Sequence, residues 1–164
     1  MPRIYLAGPD VFRPDAAEHF ASLTAICEGF GIEALVPFDE SGKGDASSAA
    51  IYATNMELLR MADGVIANLA PFRGTEPDSG TVFEVGVAAA LGLPVVAYGV
   101  PTGDYAERAA GRRDAAGVLR DAGGLAIEDF GLPLNLMLAC SVQIADSAED
   151  ALKVMAGLLV LRQP

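Results

Sequence analysis

The chain alternates short apolar runs with longer segments whose apolar residues recur every three or four positions. Ile4–Ala7 is an apolar run stopped by Gly8-Pro9, and it reads as a buried strand followed by a turn. From Asp15 to Glu28, the spacing of Ala16, Phe20, Leu23 and Cys27 predicts a helix, ended by Gly29 and Gly31. Ile32–Val36 reads as a second strand, closed by Pro37. The polar, glycine-containing stretch Asp39–Ser48 is a candidate mobile lid. Ala49–Ala62 is a helix carrying Ile51, Leu58, Leu59 and Ala62 among its apolar residues, and Gly64–Leu69 is a third strand. Ser79–Leu91 is a helix broken by Gly92, and Leu93–Tyr98 is a fourth strand.

Gly99–Arg120 is less regular, rich in Ala, Arg and Asp, and reads as a surface excursion with a short helix. Leu132–Cys140 is apolar, as either core or a subunit interface would be. Val142–Ile144 is a short fifth strand, and a last helix starts behind Asp146 or Ser147 as cap and runs to about Leu161. Near-continuous apolar strands alternating with amphipathic helices are the pattern of a parallel sheet covered on both faces. With right-handed crossovers, the expectation is an α/β fold. It is a single domain over residues 1–164, with a doubly wound (Rossmann- or flavodoxin-like) sheet of five parallel strands.

Composition narrows the classes of function. Hydrophobic residues make up 52% of the 164 positions, which argues against disorder. A chain of this length buries roughly two-thirds of its unfolded surface and needs no disulfide or metal to hold it. The formal charge of −11 leaves no basic patch for polymeric nucleic acid, though it does not exclude a small uncharged nucleoside. Cys27 and Cys140 each sit among apolar residues and read as buried core thiols. His19, the one histidine, is expected to be solvated or capping, and a histidine-based triad or multi-histidine metal site is hard to build from it. The chain opens without a basic-then-apolar leader and holds no membrane-length apolar run, so a cytoplasmic location without a membrane partner is expected.

Ligands of an open parallel sheet bind beyond the carboxyl ends of its strands. The first strand delivers Tyr5 and then Gly8-Pro9-Asp10-Val11-Phe12 to that edge. The third delivers Asn68 and a loop with Arg73 and Gly74 that feeds the helix start at Ser79-Gly80-Thr81. Unpaired N–H groups at such a start favour oxygen ligands. Glu84, one turn inside and flanked by Phe83, Val85, Val87 and Ala88, is a carboxylate in an apolar helix, costly unless hydrogen-bonded. Each residue has a plainer reading. Glu84 could pair with an arginine or cap its helix, Asp78 could be an N-cap, Tyr5 could be core with a satisfied hydroxyl, and Phe12 could be packing. Two carboxylates near one cleft are also the pattern of glycoside chemistry.

Several segments, in order, resemble the nucleoside 2-deoxyribosyltransferases over about residues 3 to 140. They are Ile4 to Phe12, Asn55 to Leu69, Phe72-Arg73-Gly74, Asp78 to Gly86, and Pro133-Leu134-Asn135-Leu136-Met137. Their joint order is more specific than any one of them. The resemblance implies a 2′-deoxynucleoside and a free nucleobase as substrates, as in purine salvage, with no cofactor and no metal. Glu84 would be the nucleophile at C1′, Tyr5 its orienting partner, and Asp78 the group that protonates or hydrogen-bonds the departing base. Phe12 would pack on the base, with Gly8 and Gly80 lining the site. Asn135 would reach the 5′-hydroxyl from a neighbouring subunit of a homo-oligomer built from dimers. Alignment on Asp63 puts Asn55 where other members carry an aspartate. An amide cannot act as an acid, so proton delivery leans on Asp78.

Three other readings compete. A hydrolase of 2′-deoxynucleosides or their 5′-monophosphates would give the same intermediate to water, and the nucleotide version needs 5′-phosphate-binding groups. Lysine decarboxylase-like phosphoribohydrolases also carry Gly-Thr-x-x-Glu, but their preceding Pro-Gly-Gly is absent from Pro77-Asp78-Ser79-Gly80. A non-catalytic nucleotide-binding sensor would not need both Glu84 and Asp78.

Overall fold

The computed structural model describes residues 1–37 and 47–161. The candidate lid, apart from Ser47 and Ser48, lies outside the described residues. The strands are β1 (Arg3–Ala7), β2 (Glu33–Leu35), β3 (Gly64–Asn68), β4 (Val95–Tyr98), β5 (Arg112–Arg113), β6 (Leu119–Arg120) and β7 (Gln143–Ile144). The helices are α1 (Ala16–Gly29), α2 (Ser48–Met61), α3 (Ser79–Ala90), α4 (Tyr105–Arg108), α5 (Leu136–Ala139) and α6 (Ala148–Leu161).

Five strands form one parallel sheet in the order β2-β1-β3-β4-β7. Tyr5 pairs with Leu35 on one side and Val65 on the other, so the chain leaves β1 in one direction and returns on its other flank. That reversal between β1 and β3 is the switch point at which loops splay apart and leave a crevice.

Alternation along the strands sorts the core into two layers. Ile4, Leu6, Ile66 and Val96 pack with Phe20, Leu23 and Cys27 of α1 and with Leu152 and Met155 of α6. Tyr5, Ala7, Val65 and Ala67 face the opposite way, onto Leu59 of α2, Val85 and Ala88 of α3, and Leu134 and Leu138. Each fully buried aliphatic side chain contributes about 1.5–3 kcal/mol. Burial on both faces is why these strands read as apolar runs rather than alternating ones. The last helix starts as expected, with Ser147 Oγ accepting from Asp150 N at 3.1 Å.

The excursion holds the expected short helix, α4, and also an antiparallel β5–β6 ladder that periodicity did not predict. Two-residue strands are too short to show an alternation. The Leu132–Cys140 stretch is divided: Leu134 and Leu138 are core, whereas Met137 is 72% exposed. Cys27 is buried as expected, but Cys140 is exposed. It is the C-cap of α5. No helix among the described residues is long and apolar enough to cross a membrane.

Candidate active site

Two acids stand out among the residues that β1 brings to its neighbours, one half-buried and one buried. The first is Glu84. On α3 the buried positions Thr81, Val85 and Ala88 form a stripe facing the sheet, and Glu84 falls within it by the same three-and-four spacing. Tyr5 is odd-numbered on β1 and so points to the α3 side, where it is fully buried. Its hydroxyl donates to Glu84 Oε1 at 2.6 Å, a short charge-assisted bond. Burial raises the Glu84 pKa above the ordinary glutamate value, the Tyr5 hydroxyl opposes that rise, and the charge of Asp78 adds to it. Burial and Glu84 push the Tyr5 phenol far up, so it remains a donor.

Asp78 caps α3. Its Oδ2 accepts from Thr81 N at 3.0 Å and from Thr81 Oγ1 at 3.1 Å. The plainer reading of Asp78 therefore holds, and its charge reaches Glu84 as well. Its second oxygen, Oδ1, accepts no hydrogen bond among the described residues. Gly80 keeps this helix start open, because a Cβ there would lie 3.0 Å from Asp78 Oδ2.

The second acid, Asp10, is buried, and nothing in the sequence assigned it a role. It is 5% exposed, and its Oδ2 accepts from Asn68 Nδ2 at 2.9 Å and from Tyr98 OH at 3.4 Å. His19, half-buried, brings Nε2 within 3.3 Å of Oδ1 without hydrogen-bond alignment, so this nitrogen faces a buried acid where solvation or capping was expected. Asn68 Oδ1 in turn accepts from Ala70 N at 3.1 Å. One amide thus ties the loop after β1 to the loop after β3. Gly8 makes room for it, since a Cβ there would meet Asp10 Oδ2 at 2.8 Å and Asn68 Cβ at 2.9 Å. An acid directly behind Gly8-Pro9 and a polar residue ending an apolar strand were the available signals.

Phe12 ends a single 3-10 turn, Pro9–Phe12, and is 59% exposed. It stacks on Phe72 with centroids 5.4 Å apart, and the Arg73 guanidinium carbon lies 4.6 Å from Phe72 and 5.2 Å from Phe12. Asn55 is half-buried on α2, which packs against β1 and α3.

Asn135 is placed elsewhere. It caps α5 through Met137 N at 3.0 Å and donates to Glu128 Oε1 at 2.7 Å. With Val82, Gly86 and Ala89 it lines a cavity of about 470 Å³ that Glu84 does not line. At 3.6 residues per turn, Glu84 lies on the side of α3 opposite those three residues. Within one chain, Asn135 and Glu84 are not brought together.

The profile of the family described as nucleoside 2-deoxyribosyltransferase matches residues 4–137. The chain belongs to that family. As a nucleoside 2-deoxyribosyltransferase-family enzyme it is similar over nearly its whole length to a 2-desoxiribosyltransferase from Leishmania mexicana. The two are 35% identical over 96% of this chain and 98% of the other, with a TM-score of 0.80. A conserved protein of Enterococcus faecalis V583 is 25% identical, with a TM-score of 0.63 over 96% and 99% of the two chains. An uncharacterized protein of Schizosaccharomyces pombe is 33% identical over 97% of this chain and 90% of its own. The two structural likenesses span the five-stranded sheet and its flanking helices, and the family acts on nucleosides and nucleobases.

Proposed function

We propose that this chain transfers a 2-deoxyribosyl group between nucleobases by double displacement through a covalent ester on Glu84. The observation that carries this reading is the hydrogen bond of buried Tyr5 to half-buried Glu84, beside Asp78. Tyr5 occupies Oε1 and leaves Oε2 to attack C1′ of the sugar. The C1′–N bond breaks as the C1′–O bond forms, and the electron pair leaves on the base. Asp78 Oδ1 supplies the departing base with a proton or a hydrogen bond while Oδ2 keeps the helix cap. A second base then attacks C1′ and releases Glu84, so the configuration is retained overall.

Around that centre, Phe12 packs on the base, and Asn55 orients it as donor and acceptor without delivering a proton. Gly8 and Gly80 keep the crevice clear. Asn135 serves the 5′-hydroxyl of a neighbouring subunit in a homo-oligomer built from dimers, which suits its separation from Glu84 in its own chain. The acidic chain and the amide at position 135 favour a free 5′-hydroxyl over a phosphate. The setting is cytoplasmic purine salvage.

Incubation with deoxyinosine, with and without adenine, tests the reaction. Deoxyadenosine should form only when adenine is present. Hypoxanthine and free deoxyribose released equally fast in both tubes would establish hydrolysis instead. Glu84→Ala should abolish turnover yet still bind nucleoside; retained turnover would remove Glu84 from the mechanism.

A further inference from the structure

The cluster of Phe12, Phe72 and Arg73 is larger than simple packing of the base requires. The three groups form a nearly equilateral triangle with sides of 5.4, 4.6 and 5.2 Å. The loop that carries two of them is closed by Phe72 N–H donating to Glu76 C=O at 2.9 Å. Arg73 holds a left-handed backbone, φ 54°, which a non-glycine residue keeps only where its surroundings fix it. The chain has 22 acidic side chains against 11 basic ones, yet among the described residues Arg73 makes no ion pair and rests on the two rings instead. Its N–H groups are therefore held beside the exposed ring of Phe12, with no carboxylate among the described residues paired to them.

We propose that Arg73 reads the nucleobase and selects 6-oxopurines, the class of hypoxanthine and guanine. This deepens the transferase reading and rests on it. A guanidinium offers donors only. A 6-oxopurine presents two adjacent acceptors, O6 and N7, which match that fork, whereas adenine presents a donor beside N7 and meets it donor to donor. The rings of Phe12 and Phe72 hold the fork in place beside the surface on which the base packs. As the C1′–N9 bond breaks, its electron pair stays on the base and negative charge spreads towards O6 and N7. A cation there stabilises that charge without moving a proton.

The test compares kcat/KM for deoxyinosine and deoxyadenosine cleavage in the unsubstituted protein, Arg73→Gln and Arg73→Lys. Both substrates are measured on one preparation, so the ratio does not depend on the fraction folded. The deoxyinosine-to-deoxyadenosine ratio should fall about 10- to 100-fold in Arg73→Gln, with Arg73→Lys in between because it keeps the charge and loses the fork. Calorimetry on Glu84→Ala should show hypoxanthine binding more tightly than adenine, and the added Arg73→Gln substitution should erase the difference. An unchanged ratio, or a loss confined to 5′-monophosphate substrates, overturns the base-reading role and leaves the transferase reading standing. An unsubstituted protein that cleaves no deoxynucleoside overturns both.

Discussion

Replacing Tyr5 by Phe removes one oxygen from a fully buried ring and leaves its packing intact. What is lost is the 2.6 Å bond to Glu84 Oε1. A hydrogen bond to a charged acceptor contributes about 1.5–3 kcal/mol. Three influences act on Glu84: burial and Asp78 favour its protonated form, and Tyr5 alone favours the ionised one. Removing Tyr5 therefore raises the Glu84 pKa further, and the acid limb of the pH–rate profile moves to higher pH. At the foot of that limb, kcat/KM should drop about 10- to 100-fold, since each 1.36 kcal/mol is a factor of ten. On the plateau Glu84 is ionised in both proteins, and the loss should be smaller, reflecting orientation alone. Stability carries the same sign. Ionised Glu84 costs the folded state stability as pH rises through its raised pKa, and the variant deepens that cost. The difference in Tm between the proteins should therefore grow from acid to neutral pH. Steady-state kinetics across pH, with thermal melts in the same buffers, provide the measurement. An unmoved acid limb, or a plateau that falls as far as the foot, would refute the assigned role of Tyr5.

Asp78→Ser separates capping from chemistry. Serine is itself a good N-cap, so Tm should stay within a few degrees, while kcat should fall about 100- to 10,000-fold on loss of the carboxyl group. A rate within threefold of the original would leave Asp78 as a cap only. Glu84→Ala and Asn135→Ala, each inactive alone, should complement when unfolded and refolded together. Random pairing into dimers restores about a quarter of the activity if Asn135 acts across the interface. A mixture that stays inactive would place Asn135 in its own subunit's site, and an Asn135→Ala protein active on its own would put Asn135 outside the mechanism.

The parts of the fold legible in the sequence are those with a strong period. The four leading strands and the helices between them follow from buried runs and three-and-four spacing, because the sheet is covered on both faces. The β5–β6 ladder pairs through two-residue strands at Arg112–Arg113 and Leu119–Arg120, where no period can develop. Glu84 stood out because a carboxylate in an apolar helix demands a partner, and Tyr5 is that partner. Asp10 did not stand out, since an acid after Gly-Pro looks like ordinary turn chemistry until Asn68 and Tyr98 are seen on it. The stack of Arg73 on Phe12 joins residues 61 positions apart in sequence, and no local pattern encodes that.

The Tyr5–Glu84 bond spans 79 positions of the chain and joins the first strand to the third helix. Closing a loop of that length has an entropic cost that only assembly of the intervening sheet repays. No fragment lacking either element can hold the pair, and a chain whose third helix has undocked carries Glu84 away from the Tyr5 hydroxyl. Catalytic output in this protein is therefore a gauge of tertiary assembly, and recovery of turnover during refolding should follow docking of the helix rather than the earlier appearance of helical signal.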